Sequence, residues 1–308
     1  MWNGVSGIAS SRGWLSCLAE KELLTQQVTV VTDSIACLTP DAVQQYHMLV
    51  LPINLYFGGK VYKDWVDMTP TEAYKMFQQD PEHFSTSAPS PKECLQAFRI
   101  ASERTKNILC VTVSSRLSMV HDSARVAKEQ AKYELPGVVI EILDSHSATA
   151  SEGMVALAGA RAAAAGKELA DVSKAAEIVR DKVSVIVLLD TVRYVYRSGR
   201  VPRLAAQAGS VLNIKPLLTV SRVVNFAGVV RSRERGVERM FQMMRDKVGS
   251  SPVHVAVMHA YALDEAVKLK ERVAAEFNCC ELWLTEFSPV MSYATGTGTL
   301  GVAFYSDG

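Results

Sequence analysis

The six cysteines (Cys17, Cys37, Cys94, Cys110, Cys279 and Cys280) contain no Cys-x-x-Cys spacing, so the signature of a zinc ribbon or a redox dithiol is missing. They read instead as small buried hydrophobes in a cytoplasmic protein. Long apolar runs are also missing. The longest, such as Val183–Leu189, are the length of a strand and fall far short of the roughly 20 residues of a membrane-spanning helix. Nor does one sign of charge dominate: 33 Lys and Arg against 32 Asp and Glu give a formal net charge of +1, which supplies no general attraction for nucleic acid or anionic headgroups. The histidines at 47, 83, 121, 146, 254 and 259 form no pair at helical ligand spacing beside a third ligand, so no metal is expected. His254 and His259 flank a strand and leave it on opposite faces.

What is present is an ordinary folded composition, 48% hydrophobic and 21% charged. At 308 residues, two domains are the first expectation. Residues 1–25 lack the basic start and apolar block of a secretion signal and read as an N-terminal extension, with a short helix from Gly13 to Leu24. From there strand and helix patterns alternate. Val28–Thr32 is a β-branched run ended by Asp33-Ser34, and Leu49–Phe57 is strand-like up to a Gly58-Gly59 turn. Thr39-Pro40, Thr69-Pro70-Thr71-Glu72 and Ser90-Pro91-Lys92-Glu93 each place a hydroxyl cap before a proline at the first helical position. Ile108–Val113 and Val138–Leu143 are strands on either side of a helix over Leu117–Tyr133.

Strands that are continuously apolar predict a parallel sheet covered on both faces. The expected fold class is therefore α/β, with an N-terminal α/β domain over residues 26–168 and a second α/β domain over 169–308. An alanine-rich helix, Ser147–Ala165, precedes the boundary, and its small side chains permit close approach of another element. In the second half, Ile214–Val220 and Val223–Phe226 read as paired strands.

Enzyme signatures mostly fail. Gly296-Thr297-Gly298-Thr299-Leu300-Gly301 has the spacing of a dinucleotide-binding loop, but too few residues follow it for the helix, strand and ribose-binding acid that the motif requires. No phosphate-binding Gly-x-x-x-x-Gly-Lys loop and no Gly-x-Ser-x-Gly elbow is present. Hydroxyl-bearing loops are the positive signal: Thr32-Asp33-Ser34, Ser85–Ser90, Ser114–Ser118 and Asp144-Ser145 each lie just after a strand or before a helix. Ligands of α/β sheets bind outside the carboxyl ends of strands, where hydroxyls beside helix N-termini suit an anionic head group. The same hydroxyls also serve as ordinary helix caps.

Seven motifs in order give a more specific reading. Thr32-Asp33-Ser34, Thr86-Ser87-Ala88-Pro89-Ser90, Ser114-Ser115-Arg116-Leu117-Ser118, Asp144-Ser145, Arg197-Ser198-Gly199-Arg200, Asn213-Ile214-Lys215-Pro216 and Thr295–Gly301 resemble the successive signatures of DegV family proteins, from about residue 27 to 305. The resemblance implies a long-chain fatty acid lying in a tunnel between two α/β domains. It further implies a non-enzymatic binding subunit that presents the acid to a separate fatty acid kinase, with no cofactor. By the same resemblance, Thr86, Ser118 and Thr295 would bind the carboxylate, Asp33, Ser34, Ser87, Ser114, Ser115 and Gly296 would support the site, and Arg197 and Arg200 would lie on the rim used by the kinase. Two positions depart from the family pattern. Leu117-Ser118-Met119-Val120 stands where the family has Leu-Ser-Gly-Thr, and Ala294 stands where it usually has a histidine. Either Tyr293 supplies the missing donor or the pocket accepts a less polar head group.

Residues 191–245 hold eleven Lys or Arg against two acids, nine net positive charges in a chain whose total is +1, so the remainder carries eight net negative ones. This segment supports an alternative reading, an enzyme or sensor that binds a phosphorylated small molecule through its arginines, and it equally fits a solvated face. No helix-turn-helix, zinc or aromatic RNA-binding pattern accompanies the arginines, so nucleic acid is not expected as a partner.

Overall fold

The computed structural model describes residues 26–192, 194, 199–200 and 214–307. The expected N-terminal extension and the rim position Arg197 lie outside them.

Four parallel strands form the first sheet: β1 (Val28–Asp33), β2 (Leu49–Leu51), β6 (Asn107–Thr112) and β7 (Val139–Asp144), in the order β2-β1-β6-β7. Their alternation serves two cores. Val31, Ile108 and Cys110 pack under α3 (Pro91–Ser102) and α4 (Val120–Glu134), whereas Val28, Val30, Leu109 and Val111 face α5 (Ala150–Ala164) and α6 (Leu169–Lys182). This is the doubly covered sheet that continuous apolar strands require.

A second, mixed sheet has the order β10-β9-β8-β13-β11-β12. Its strands are β8 (Ser184–Leu188), β9 (Lys215–Ser221), β10 (Val223–Val230), β11 (Val253–His259), β12 (Cys279–Glu286) and β13 (Leu300–Ser306). β11 and β12 are parallel, and the other neighbours are antiparallel. Val185, Val187, Ala256, Met258 and Ala303 turn toward α5 and α6, while Ile186, Leu188, Val255, Val257 and Val302 turn toward α7 (Arg233–Val248) and α8 (Leu263–Glu276). One apolar core therefore runs from the first sheet through α5 into the second. The small residues of α5 make this possible: a Cβ on Gly153 would lie 2.3 Å from the carbonyl oxygen of Ala36.

A third sheet, β4-β3-β5, was not visible in the sequence. The expected strand over Leu49–Phe57 is broken at Pro52-Ile53, so β2 joins the first sheet and β3 (Asn54–Phe57) starts a new one. Proline lacks the N–H that a continuous ladder needs. β3 pairs with β4 (Lys60–Lys63) through the Gly58-Gly59 turn and with β5 (Ser85–Ser87), against α2 (Pro70–Gln79). The predicted caps form as read: Thr39 caps α1 (Pro40–Gln45), and Thr69 and Ser90 form complete capping boxes. The helix expected from Leu117 begins at Val120, because Leu117 and Ser118 both donate their N–H to the Ser114 carbonyl in a separate turn. The alanine-rich helix begins at Ala150 rather than Ser147.

Candidate functional site

A cavity of about 980 Å3, counted with its open mouth, lies at the carboxyl ends of β1, β6 and β7. Loops after these strands bring Ile35, Val113, Leu117, Ser118, Ala148 and Thr149 to its wall, and β5 adds Thr86 and Ser87. The opposite wall comes from the second sheet, with Val187, Leu218, Val220 and Val224, and from the short helix α9 (Val290–Thr295). Ile35, Val113, Val187 and Leu218 are buried, whereas Thr86, Ser118, Tyr293 and Ala294 are half-buried. The cavity thus has a mainly apolar interior and a partly polar mouth, which is the distribution an amphiphile needs.

Thr86 and Ser118 border the same cavity, and among the described residues neither side-chain hydroxyl has a hydrogen-bond partner. Two other hydroxyls of the wall are engaged. Thr295 Oγ1 donates to the Met291 carbonyl at 2.8 Å, and Ser87 Oγ lies 3.1 Å from the Tyr56 hydroxyl and 3.4 Å from Asn54 Nδ2, which donates to it. Tyr293 and Ala294 also border the cavity, so the position where the sequence departs from the family pattern faces the site. Met119, the other departure, is exposed at the start of α4 and makes no side-chain cap.

The supporting loop residues act one layer behind the wall. The buried Asp33 carboxyl accepts the N–H of Ile35 at 3.0 Å and of Val113 at 2.9 Å. Ser34 Oγ accepts the N–H of Ile53 at 3.1 Å and donates to Asp64 at 2.6 Å. Ile35, Val113 and Ile53 all line the cavity. Ser114 Oγ donates to the Arg222 carbonyl at 2.6 Å, tying the β9–β10 turn to the first sheet, and the Ser115 N–H donates to Asp144 at 3.2 Å. Gly296 has φ +76, and a Cβ there would lie 2.1 Å from the Tyr194 ring. The loop it opens leads into β13 and not into a helix, so the glycine spacing serves close packing. Arg200 is exposed, borders the cavity and donates through Nε to the Leu117 carbonyl at 3.1 Å.

Three buried acids lie behind this wall. Burial pushes Asp33 up to about 6 and Asp64 up to about 7. Glu152 rises well above the usual carboxyl range, from burial first and then from the neighbouring Asp33. Thr32 Oγ1 donates to Glu152 at 3.5 Å, and the nearby Asp33 carboxyl adds to the rise of Glu152. Asp64 accepts from Ser34 and Ser288 and so joins the loop after β1 to the loop before α9. The basic segment carries less free charge than its sequence suggests: Lys215 and Arg233 share Asp190, Arg233 also meets Glu265, and Arg245 meets Glu238 and Glu276.

Thr149 is a polar cavity residue that no sequence motif singles out. It stands five residues beyond Asp144, is 1% exposed, and its hydroxyl has no partner among the described residues. A threonine before an alanine-rich helix looks like a routine cap, yet here it makes no cap bond.

Comparison with known proteins agrees with this architecture. A family model described as uncharacterised protein, DegV family, matches residues 27–307. A DegV domain-containing protein of Mycobacterium tuberculosis is 30% identical over 287 residues, 89% of this chain and 96% of the relative. A solved DegV family protein of Thermus thermophilus, described as fatty acid binding, superposes with a TM-score of 0.82 at 28% identity, covering 91% of this chain and 99% of its own. DegV of Bacillus subtilis, described as a fatty acid binding protein, has the same fold, with a TM-score of 0.82 at 23% identity and the same two coverages. From residue 27 to 307, the chain belongs to the DegV family.

Proposed function

We propose that this protein binds a long-chain fatty acid, with the acyl chain in the cavity between the two large sheets and the carboxylate at Thr86 and Ser118. The observation that carries this reading is the pair of hydroxyls, unpartnered among the described residues, at the mouth of a mainly apolar cavity. A carboxylate leaving water needs donors, and those two hydroxyls are available. The chain needs only apolar surface, worth about 0.8 kcal/mol per buried CH2, or roughly 11 kcal/mol gross for fourteen of them. The chain drives affinity and the hydroxyls set orientation. The fatty acid binding described for the Thermus thermophilus relative supports the same reading.

The family resemblance extends the proposal: the protein is a binding subunit that presents the carboxylate to a separate fatty acid kinase, and Arg200, exposed at the mouth, belongs to the surface the kinase meets. Denaturing mass spectrometry of an organic extract of the purified protein tests the first step, and a copurifying fatty acid is expected. An extract free of lipid, together with no saturable binding of palmitate, overturns it. Formation of acyl phosphate only when this chain, a fatty acid and a fatty acid kinase catalytic subunit are combined tests the second.

A further inference from the structure

Thr149 combines three features that do not go together by chance in a routine cap. Its backbone has φ +65 and ψ −154, a region occupied almost only by glycine and costly for a β-branched residue. That conformation denies the hydroxyl its usual role, because no side-chain cap forms at the start of α5. The hydroxyl is left buried with no partner, in a residue that borders the cavity alongside Ala148. Strain and an orphaned polar group persist at sites where something else completes them.

Depth decides what completes it. Thr86 and Ser118 are half-buried and receive the head group, whereas Thr149 is almost fully buried, as are Ile35 and Val113 on the same wall and Val187 and Leu218 on the opposite one. A plain hydrocarbon chain offers nothing to a hydroxyl there. An oxygen on the chain does, because a threonine hydroxyl turns about χ1 and can both donate and accept. The N-terminus of α5 beside it adds a favourable partial charge for an acceptor oxygen. We propose that the preferred ligand is a fatty acid carrying an oxygen function along its chain, a hydroxyl or a carbonyl, and that Thr149 is the residue that selects it. This rests on the acyl-cavity reading above.

The test compares binding of octadecanoic acid with a series of its monohydroxy isomers, the hydroxyl placed at successive depths, to the full-length protein and to Thr149→Val, Thr149→Gly and Thr149→Ser. At least one isomer is expected to bind the parent protein about tenfold more tightly than octadecanoic acid, the effect of one added hydrogen bond. That preference disappears in Thr149→Val and Thr149→Gly and survives in Thr149→Ser. Should the valine variant fail to fold, the glycine variant still reports, since glycine relieves the backbone. Equal binding of all isomers, as expected if a trapped water satisfies the hydroxyl, overturns the inference, and so does a preference that survives in Thr149→Gly. If octadecanoic acid itself does not bind, the acyl-cavity reading falls first and this inference falls with it.

Discussion

The carboxyl of Asp33 accepts the backbone N–H of Val113, 80 positions away in sequence, at 2.9 Å, and with its other oxygen holds Ile35 at 3.0 Å. One buried side chain thereby fixes two residues of the cavity wall on loops from neighbouring strands. Asp33→Ala removes both acceptors and is expected to cost about 2 to 6 kcal/mol, since each buried N–H left unpaired costs about 1 to 3. Asp33→Asn keeps one acceptor oxygen and costs less. Urea unfolding of the two variants checks the order, and equal losses would show that volume rather than hydrogen bonding sets the effect.

Asp33, Asp64 and Glu152 make stability depend on pH in a definite direction. Each has a higher pKa in the fold than in the unfolded chain, so folding takes up protons wherever the unfolded carboxyls are ionised and the folded ones are not. The pH-dependent cost of burying them is therefore small below about pH 4 and grows as pH rises toward the folded values of about 6 for Asp33 and about 7 for Asp64. The slope is at most about 1.4 kcal/mol per pH unit for each group. Asp64→Asn is expected to flatten the profile between pH 4 and 7, read by denaturant unfolding at each pH. A profile unchanged by that substitution would place the dependence elsewhere.

Ser118→Ala is expected to weaken binding of a free fatty acid by about 1 to 3 kcal/mol, the range for a hydrogen bond to a charged group. Apolar contacts of the chain are untouched. Calorimetry with the acid and its methyl ester separates the two: the acid loses affinity and the ester changes little. An unaltered affinity for both would leave Ser118 as a turn residue alone.

Tyr293 and Ala294 border the cavity side by side. If the tyrosine hydroxyl serves where the family usually has a histidine, Tyr293→Phe selectively reduces affinity for the free acid, and Ala294→His leaves that affinity steady or raises it. We expect this outcome. Titration with the acid and with the corresponding alcohol checks it, and a protein whose alcohol affinity falls on Ala294→His while Tyr293→Phe changes nothing has a site built for neutral lipids.

Features set by local chemistry were readable in the sequence. Thr69, Ser90 and their glutamates cap because the partners are three residues apart, and the β1 and β6 strands were visible as apolar runs because both faces are covered. Thr86 and Ser118 could be singled out as hydroxyls in strand-end loops. What could not be read depends on distant parts of the chain. The pairing of β3 with β5 joins Leu55 to Thr86, and nothing near either residue announces it. Asp33 and Ser34 were identifiable, but their partners Val113, Ile53 and Asp64 were not. Thr149 escaped because its sequence context is that of a cap, and only its backbone conformation and surroundings show otherwise.

Helix α5 has a consequence for how the molecule comes apart. Ala150, Met154, Val155, Leu157 and Ala160 belong to a core that also contains Val30 and Leu109 of the first sheet and Val187 and Ala256 of the second. The helix precedes residue 169, yet its apolar surface is satisfied by strands on both sides of that position. A fragment ending at 168 would expose the face that meets the second sheet, and the complementary fragment would leave its own sheet face bare. Cooperative unfolding follows from a shared core, so melting is expected as a single transition in which both sheets lose their packing together.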